Sequence, residues 1–361
     1  MRKTVIALIA VAAIAGGAAW YVFDLLPRQI RGNIERTIAE LRPGYEITYA
    51  GLDIDALAGN AVFSGLEARQ PEKEIVLTAR SASISEHDEG DGYDVLADSL
   101  TLTVGDDPPI NAASAAVTDI SIADIPIASE DPAPGDPEQD GDDTLAGLRM
   151  FSFARLDIRD ISNPAKKAEV RTVGIDRYEE GKFGKLQITG FSVNDTGRLA
   201  FQEFSAADID VVGIATLPRT FRGNPDWTLL KTGEVSISGV AFDDGKGTTA
   251  TFDTITLGAV RDGRVSRFAI GTIVGAGTDK EDRPVSFTLG SLELTDFPIV
   301  SVSPNAIAIR QYFSAPQPSV IYGGMKLRDL GFKTERGGFR LVDFEMPAPV
   351  FRETESGARY A

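Results

Sequence analysis

The sequence predicts a mainly β protein, with an N-terminal transmembrane helix followed by a long antiparallel, twisted or groove-like β-sheet and a few short helices. The chain has 36 Gly and 19 Pro among 361 residues, which is typical of many short strands joined by turns. From about Tyr45 onward, the apolar residues alternate with a period of two, the period of a strand. Residues 4–23 carry no charge and are long enough to cross a bilayer as a helix.

The N-terminal segment, residues 1–26, is interpreted as a membrane anchor. Arg2 and Lys3 precede the apolar stretch, and basic residues stay on the cytoplasmic side, so the bulk of the chain is expected to be exported. The alternative is a cleaved secretory signal with Gly17 and Ala19 before the cut. The length of the apolar stretch favours the anchor.

Residues 27–43 predict a short amphipathic helix that ends at Pro43. Its apolar residues recur at helical spacing, at Ile30, Ile34, Ile38 and Leu41. Two compatible interpretations follow: the helix caps a sheet, or it lies on the membrane surface with its arginines at anionic headgroups.

An eight-residue pattern recurs in the rest of the chain: apolar, x, apolar, x, Gly or Asp, apolar, x, apolar. The clearest copies are residues 120–127, 186–193, 235–242, 292–299 and 325–332. Weaker copies are residues 61–68, 156–162 and 204–211. Phe residues mostly occupy the apolar positions and are interpreted as core or groove lining, as at Phe191, Phe242, Phe252, Phe268, Phe287 and Phe297.

The Gly or Asp of the pattern is interpreted as a β-bulge or a bend. Leu186 and Ile188 have one parity and Phe191 the other, so a regular strand would turn one pair toward water. One extra residue in the strand would restore a common face, and Gly or Asp suits its backbone. The residues interpreted in this way are Gly190, Gly239, Asp124, Asp160, Asp296 and Asp329. The alternative is that the aspartates form a carboxylate site.

Turn signals and loops divide the β part of the chain. Residues 44–128 form a first β region, residues 129–143 an acidic disordered loop, and residues 144–361 a second β region. Turns that make hairpins are predicted at residues 180–182, 244–246, 262–264 and 337–338. Residues 271–277 are assigned to a turn, and residues 303–316 to a short helix.

Composition excludes several classes of site. The chain has one His and no Cys, and its formal charge is −17, which disfavours binding to nucleic acid. His87 lies in an acidic segment, residues 85–94, interpreted as a solvated loop or a weak divalent-cation site. No catalytic, cofactor-binding or metal-binding residue is assigned, no cofactor is expected, and no catalytic motif points to an enzyme.

The anchor, the segment 46–69 and the units 188–193 and 236–242 together resemble the AsmA-like bacterial envelope proteins. The resemblance implies an inner-membrane helix, a long twisted sheet folded into an apolar-lined groove, and a role in moving phospholipid across the periplasm. The chain is short for that family. The family has no catalytic motif, so the resemblance assigns no residue.

The resulting hypothesis is a single-pass protein of the bacterial inner membrane, mostly periplasmic, with a non-catalytic role in lipid handling or envelope assembly. Membrane lipid is its expected partner through the N-terminal helix, and phospholipid its candidate ligand. The alternative is an anchored extracytoplasmic scaffold or adaptor with closed β-sandwich domains, and the third is a glycan-acting hydrolase. An accessible apolar face distinguishes the first hypothesis from a packed sandwich.

Overall fold

A computed structural model describes most of the β part of the chain. The described residues are 31, 46–55, 59–71, 74–87, 92–122, 151–211, 230–298, 323–347 and the backbone of 351–352 and 359–360. Several predictions lie outside these residues: the anchor 1–26, the amphipathic helix 27–43 apart from Arg31, Asp124, the loop 129–143 and the helix 303–316. Arg31 has a helical backbone conformation. Its guanidinium donates a hydrogen bond to the carbonyl oxygen of Leu52 at 2.5 Å.

The described residues are almost entirely β, which confirms the mainly β prediction. Their strands are β1 Glu46–Thr48, β2 Gly51–Asp55, β3 Asn60–Gln70, β4 Ile75–Glu86, β5 Tyr93–Val104, β6 Ile110–Ile122, β7 Phe151–Asn163, β8 Ala168–Glu179, β9 Lys182–Asn194, β10 Arg198–Asp210, β11 Val235–Asp243, β12 Thr249–Leu257, β13 Val260–Arg261, β14 Arg264–Ile270, β15 Ile273–Thr278, β16 Pro284–Leu289, β17 Ser291–Pro298, β18 Gly324–Thr334, β19 Gly337–Pro347, β20 Phe351–Arg352 and β21 Arg359–Tyr360. Within the described part of the chain, no helix has the length and apolarity to cross a membrane.

The strands fall into two compact units. Unit 1 contains the described residues up to Ile122 and from Phe151 to Arg177, and unit 2 contains those from Tyr178 onward. The division lies inside β8. Residues 129–143, at which the sequence suggested a boundary, lie outside the described residues.

Unit 1 is an antiparallel meander. The short strands β1 and β2 pair end to end with β3, and β3 to β7 then pair in chain order. Alternating apolar residues and short hairpin connections favour this topology, because sequential antiparallel strands need only a tight turn between them.

Unit 2 continues the same plan with strands that are sometimes interrupted. β9 to β12 pair in chain order, and β14 and β15 then pair with successive halves of β12. The strands β16 and β17 follow in the same way, and β18 and β19 come next. The short strands β20 and β21 pair with each other in a separate two-stranded sheet. The prediction of a turn at residues 271–277 is wrong, because residues 273–278 form β15; only Gly271 and Thr272 interrupt the ladder.

Two-residue turns close several hairpins as predicted. Glu180 and Gly181 have φ of 50° and 79°, and Asp262 and Gly263 have φ of 50° and 69°. Two successive positive φ angles match the twist of the flanking strands, which is why Gly and Asp occupy these positions. At the last hairpin, Gly337 and Gly338 already pair in β19, and the turn comes before them.

The Gly and Asp positions of the repeated pattern are bends, as predicted. Gly190, Gly239, Asp160, Asp296 and Asp329 all have φ between 47° and 64°. This is the left-handed region, which Gly enters without a steric cost and Asp more readily than most residues.

The accompanying prediction of an extra residue at these bends is wrong. Phe201 pairs with Phe191 and Glu203 with Thr189, so one residue of each strand, Gln202 and Gly190, lies between the two pairs. The register is therefore unchanged across the bend, and the neighbouring strand changes its alternation at the same level. A two-against-one bulge occurs elsewhere, where Thr118 and Asp119 lie opposite Asp94 between Val95–Val117 and Tyr93–Ile120.

Because the register is maintained, the bends align across neighbouring strands into transverse rows, which we call creases. Crease 1, in unit 1, contains Ala50, Gly65, Arg80, Ser99, Ala113 and Asp160. Crease 2, in unit 2, contains Gly190, Gln202, Gly239, Asp253, Thr272, Gly290, Asp329 and Val342. Crease 3, also in unit 2, contains Gly184, Asp208, Gly233, Ala259, Ser266, Asp296 and Gly323.

Positive φ occurs in every second strand of crease 1. Gly65, Ser99 and Asp160 have it, whereas Arg80 and Ala113 on the strands between them do not. Antiparallel neighbours cross the same bend in opposite chain directions. Since an L-polypeptide is chiral, the two directions reach one bend with different dihedral angles. Only the strands of one direction therefore need Gly, Asp or Ser at the crease.

The creases keep apolar side chains of opposite parity on one face. Phe63 lies before the crease residue Gly65 and Leu66 after it, yet Leu66 packs against the cluster formed by Leu52, Phe63 and Ala82. The ring of Tyr49 meets that of Phe63 edge to face, with centroids 5.4 Å apart. A regular strand would have placed Phe63 and Leu66 on opposite faces.

Replacement of Gly239 by Ala tests the crease. Its φ is +61°, and an added Cβ would lie 2.5 Å from Cγ of Gln202. We expect Gly239→Ala to lower the free energy of unfolding by roughly 1–3 kcal/mol, measured by chemical denaturation.

Gly275→Ala is the matched control. Gly275 lies in a regular part of β15, and an added Cβ would be 3.6 Å from the nearest atom. This change should leave stability unchanged or raise it by less than about 1 kcal/mol. Equal effects of the two substitutions would contradict the role assigned to the crease.

Asp244 organises the turn between β11 and β12. Its Oδ1 accepts hydrogen bonds from the backbone N–H of Lys246 at 2.7 Å and of Thr248 at 2.9 Å. The N–H of Thr248 is the largest cause of a lowered pKa at this carboxyl, because it stabilises the charged form. The loop is therefore stabilised fully above the ordinary carboxyl pKa of 3.8, and the stabilisation is lost as the pH falls through the lowered pKa of the folded state.

Hydrogen exchange of the peptide covering residues 243–249 tests this dependence. At pH 7, Asp244→Ala should exchange faster than the wild type after correction for intrinsic rates. The difference should shrink as the pH falls below the ordinary carboxyl pKa. A difference that is independent of pH would contradict a contribution from the charged carboxylate.

Candidate functional site

The candidate site is the apolar face of unit 2, which consists of four transverse rows of side chains. The register places apolar residues opposite one another on strand after strand, two rows on each side of crease 2. The two outer rows are Val193, Leu199, Phe242, Ala250, Gly275, Phe287, Phe332, Phe339, and Phe191, Phe201, Val240, Phe252, Ile273, Leu289, Leu330, Leu341. The two inner rows are Ile188, Phe204, Ile237, Ile255, Ile270, Leu292, Leu327, Phe344, and Leu186, Ala206, Val235, Leu257, Phe268, Leu294, Met325, Met346.

Aromatic contacts reinforce the outer rows. The stacked rings of Phe191 and Phe201 have centroids 4.7 Å apart, and those of Phe332 and Phe339 are 6.2 Å apart. In both cases, the two residues are cross-strand partners. Five of the six Phe residues that the sequence assigned to core or groove lining lie in the four rows. Phe297 lies beyond crease 3, opposite Val265.

The opposite face of the same strands is polar. Gln187 donates a hydrogen bond to Glu203 at 2.8 Å, and the hydroxyls of Ser205 and Ser236 are 2.9 Å apart. Arg267 pairs with Glu293 at 2.7 Å. The sheet of unit 2 is therefore amphipathic, with water and ion pairs satisfying one face and apolar side chains forming the other.

The outermost apolar row, which runs from Val193 to Phe339 and is called the outer row below, is accessible to solvent. Leu199 is 44% exposed, Phe242 41%, Phe332 38% and Phe339 58%. Within the four rows, Ala206 and Leu289 are the buried residues. A face packed against a second layer would bury such side chains almost completely, so the outer row of unit 2 can meet a ligand from solution.

Unit 1 has the same alternation, and its apolar side chains are covered to different degrees: Leu77 and Ile84 are each 38% exposed and Ile110 42%. Leu52, Phe63, Ala79 and Ala82 are each less than 8% exposed. Many of its apolar positions are Ala, whereas Phe, Ile and Leu dominate the rows of unit 2. The rows of unit 2 therefore present the larger apolar side chains.

His87 lies at the start of the β4–β5 connection and has a structural hydrogen-bond network. Its Nδ1 is 2.8 Å from Oδ1 of Asp94, and that oxygen also accepts the backbone N–H of Asp119 at 2.9 Å. Asp94 thereby ties the connection to the bulge of β6. The neighbouring acidic residues 88–91 lie outside the described residues, and in the described part of the chain no cluster of His, Asp or Glu could hold a metal ion.

The bend aspartates that are described do not form a common carboxylate site. Asp296 lies in crease 3 and Asp329 in crease 2, six residues away along the strands, which is roughly 20 Å at the rise of a β-strand. Each has an arginine on a neighbouring strand: Arg264 at 2.8 Å from Asp296, and Arg340 at 2.7 Å from Asp329. Their roles are to bend the strand and to hold its neighbour.

Two pKa shifts in the sheets have structural causes. The hydrogen bonds from Arg155 lower the pKa of Asp157, and burial raises the pKa of the Tyr178 phenol. The ring of Tyr178 is 2% exposed and lies 5.1 Å from that of Phe183. Neither group lies in the four apolar rows, and the two shifts result from ion pairing at Asp157 and from burial at Tyr178.

Comparisons with protein-family models, with curated proteins and with solved structures found no match to this chain.

Sequence reasoning missed the crease residues on the alternate strands. Arg80, Ala113 and Gln202 have ordinary φ and are neither Gly nor Asp, so they lack the signal by which the other crease residues were found. The change of parity within each strand could have found them, as in β4, where Leu77 and Ala79 precede the crease and Ala82 and Ile84 follow it.

Truncation of one covered and one accessible Phe tests the difference between the two faces. Phe63 is 6% exposed, so Phe63→Ala should lower the free energy of unfolding by about 3–5 kcal/mol. Phe242 is 41% exposed, so Phe242→Ala should lower the free energy of unfolding by less than half of that amount. Denaturant midpoints measured at a constant m-value would check this, and equal costs would mean that Phe242 is covered in solution.

Proposed function

We propose that the protein binds the acyl chains of lipids on the apolar face of unit 2, as a membrane-anchored periplasmic protein with a non-catalytic role in lipid handling or envelope assembly. The observation that carries the proposal is the exposed outer row, with Leu199, Phe242, Phe332 and Phe339 accessible from solution. A row of this kind is uncommon on a soluble surface, and large exposed apolar patches usually mark binding sites.

The dimensions of the face suit an acyl chain. Each row crosses eight strands, and at about 4.8 Å per strand it extends over roughly 34 Å. The acyl layer of one leaflet is about half of a bilayer's ~30 Å hydrocarbon core. One row can therefore accompany a complete acyl chain, and two parallel rows can accompany the two chains of a phospholipid.

The energetics also favour an apolar ligand. The four rows contain no charged or polar side chain, so a hydrocarbon chain laid along them desolvates no polar side chain. Burial of apolar surface contributes roughly 25 cal/mol per Å². The polar face keeps its own ion pairs and is unaffected, because cross-strand neighbours satisfy them.

The scaffold alternative requires that a second layer fill the apolar face. The accessibility of the outer row supports lipid binding over that alternative. The hydrolase alternative gains no support from the described aspartates, since Asp296 and Asp329 are paired with arginines and lie far apart.

Lipid recovered with the purified protein tests the proposal. We expect wild-type protein, extracted in mild detergent, to carry phospholipid detectable by mass spectrometry. The double variant Phe242→Asp with Phe332→Asp places two charges in the outer row and should retain roughly tenfold less, because each exposed ring contributes apolar contact area.

Thr251→Asp is the matched control, since Thr251 is exposed and lies on the polar face of β12, opposite Ala241 of β11. It should retain phospholipid at the wild-type level. Circular dichroism should show the same β content in all three proteins. Wild-type protein without phospholipid, or equal retention in the double variant, would contradict lipid binding at this face.

A further inference from the structure

The outer row is interrupted near its middle. Most of its side chains are Val, Leu or Phe, whereas the cross-strand partners Ala250 of β12 and Gly275 of β15 have one side-chain carbon and none. Their neighbours on the two sides are Phe242 of β11 and Phe287 of β16. We call this interruption the gap. Three strand spacings of about 4.8 Å separate the two Phe residues, so their Cα atoms are roughly 14 Å apart.

The gap has room for atoms of another molecule. An added Cβ at Gly275 would lie 3.6 Å from the backbone oxygen of Thr249 and 3.9 Å from Cβ of Phe287, the closest described atoms. These distances are ordinary van der Waals contacts. On the inner side of the gap, the same two strands continue the apolar face with Phe252 and Ile273. The gap therefore leads directly onto the apolar rows behind it.

Polar groups lie just outward of the gap. Thr248 and Gly277 are the next pair on the same face, and an added Cβ at Gly277 would lie 3.3 Å from Oγ1 of Thr248. Thr248 ends the turn 244–248 between β11 and β12, and Gly277 is followed by the turn 279–283 between β15 and β16. Thr248 and Lys246 are exposed. A group that leaves the apolar face here therefore enters water between two polar turns.

We propose that a bound phospholipid lays its acyl chains on the rows inward of the gap and passes its headgroup outward through the gap, between the two turns. The inference rests on the proposed lipid binding and adds the place at which the polar end of the ligand leaves the apolar face. A charged headgroup laid on the rows would lose its water without gaining a hydrogen-bond partner, because the side chains of the rows are apolar. Beyond the gap, the headgroup keeps its water.

The side chains of the outer row make the gap the preferred place of passage. Elsewhere, a molecule that extends from the inner rows to the turns must cross a bulky apolar side chain, such as Phe332, which is 38% exposed. At the gap it crosses only Cβ of Ala250 and the backbone of Gly275. The glycerol and the first carbons of the acyl chains can lie there, with the rings of Phe242 and Phe287 on their two sides.

Filling the gap distinguishes this arrangement from adhesion to an apolar surface in general. Gly275→Leu adds apolar area to the outer row, so binding that depended on area alone would keep or gain phospholipid. If the headgroup passes through the gap, the same leucine side chain obstructs it. The two accounts therefore predict effects of opposite sign for one substitution.

Phospholipid retained by the full chain, purified in mild detergent, measures this effect by mass spectrometry. We expect Gly275→Leu to retain at least about threefold less than the wild type. Ala276→Leu is the matched control, since Ala276 is exposed on the polar face of the same strand, opposite Thr249. It should retain the wild-type amount. Denaturant midpoints of both variants establish that they are folded.

Fluorescence quenching locates the headgroup without filling the gap, since the chain contains no Cys to interfere with labelling. A fluorophore is attached to Lys246→Cys, beside the gap, or to Arg261→Cys, in β13 beyond crease 3; both positions are exposed. The nine residues of β12 between them correspond to roughly 30 Å of strand. Phosphatidylcholine with a nitroxide on its headgroup should quench the first fluorophore several-fold more strongly than the second.

The outcomes separate this inference from the proposed function. Reduced retention in Gly275→Leu, together with stronger quenching at Lys246→Cys, supports the passage of the headgroup through the gap. Wild-type protein with phospholipid, but with undiminished retention in Gly275→Leu or equal quenching at the two positions, would overturn that passage and leave lipid binding at the face intact. Wild-type protein without phospholipid would contradict lipid binding and this inference with it.

Discussion

The register of the β-ladders is the constraint on which the rest of this structure depends. Each strand that crosses a crease changes its alternation, and it does so at the level where its neighbour changes. Because one residue faces one residue at Gly190 and Gln202, neither strand slips relative to the other. A slip of one residue would move every side chain beyond it to the wrong face. The amphipathic sheets therefore require that all strands change together.

The sequence allowed much of the fold to be predicted, because the signals were local. Alternation of apolar residues identifies strands, and Asp-Gly pairs identify hairpins. Gly or Asp within the repeated pattern identifies bends, as at Gly239 and Asp329, where the structure has positive φ. The alignment of bends was not predictable from a single strand, since it depends on the length of each turn. The prediction of an extra residue at the bends was wrong because it was also made from single strands. A change of parity in one strand gives the same sequence pattern whether or not the neighbouring strand changes too.

The candidate site followed only in part from the sequence. Five of the six Phe residues interpreted as core or groove lining lie in the four rows, but their exposure depends on what covers them. Ala206 and Phe242 lie on the same face, yet one is 2% exposed and the other 41%. Position along the strand separates them, with Ala206 between the two creases of unit 2 and Phe242 at the outer end of its strand. No periodicity carries that information.

The one-for-one ladder at the creases has a consequence for how such a chain can change in length. A whole hairpin can be gained or lost without disturbing the surfaces of the strands that remain, provided that its two arms change parity at the common level. Connections can lengthen freely, because they lie outside the ladder. A single residue added within a strand has no such freedom, since its neighbours on both sides would have to accommodate it. Growth by whole hairpins, with strand interiors fixed in length, is the mode of variation that this architecture tolerates.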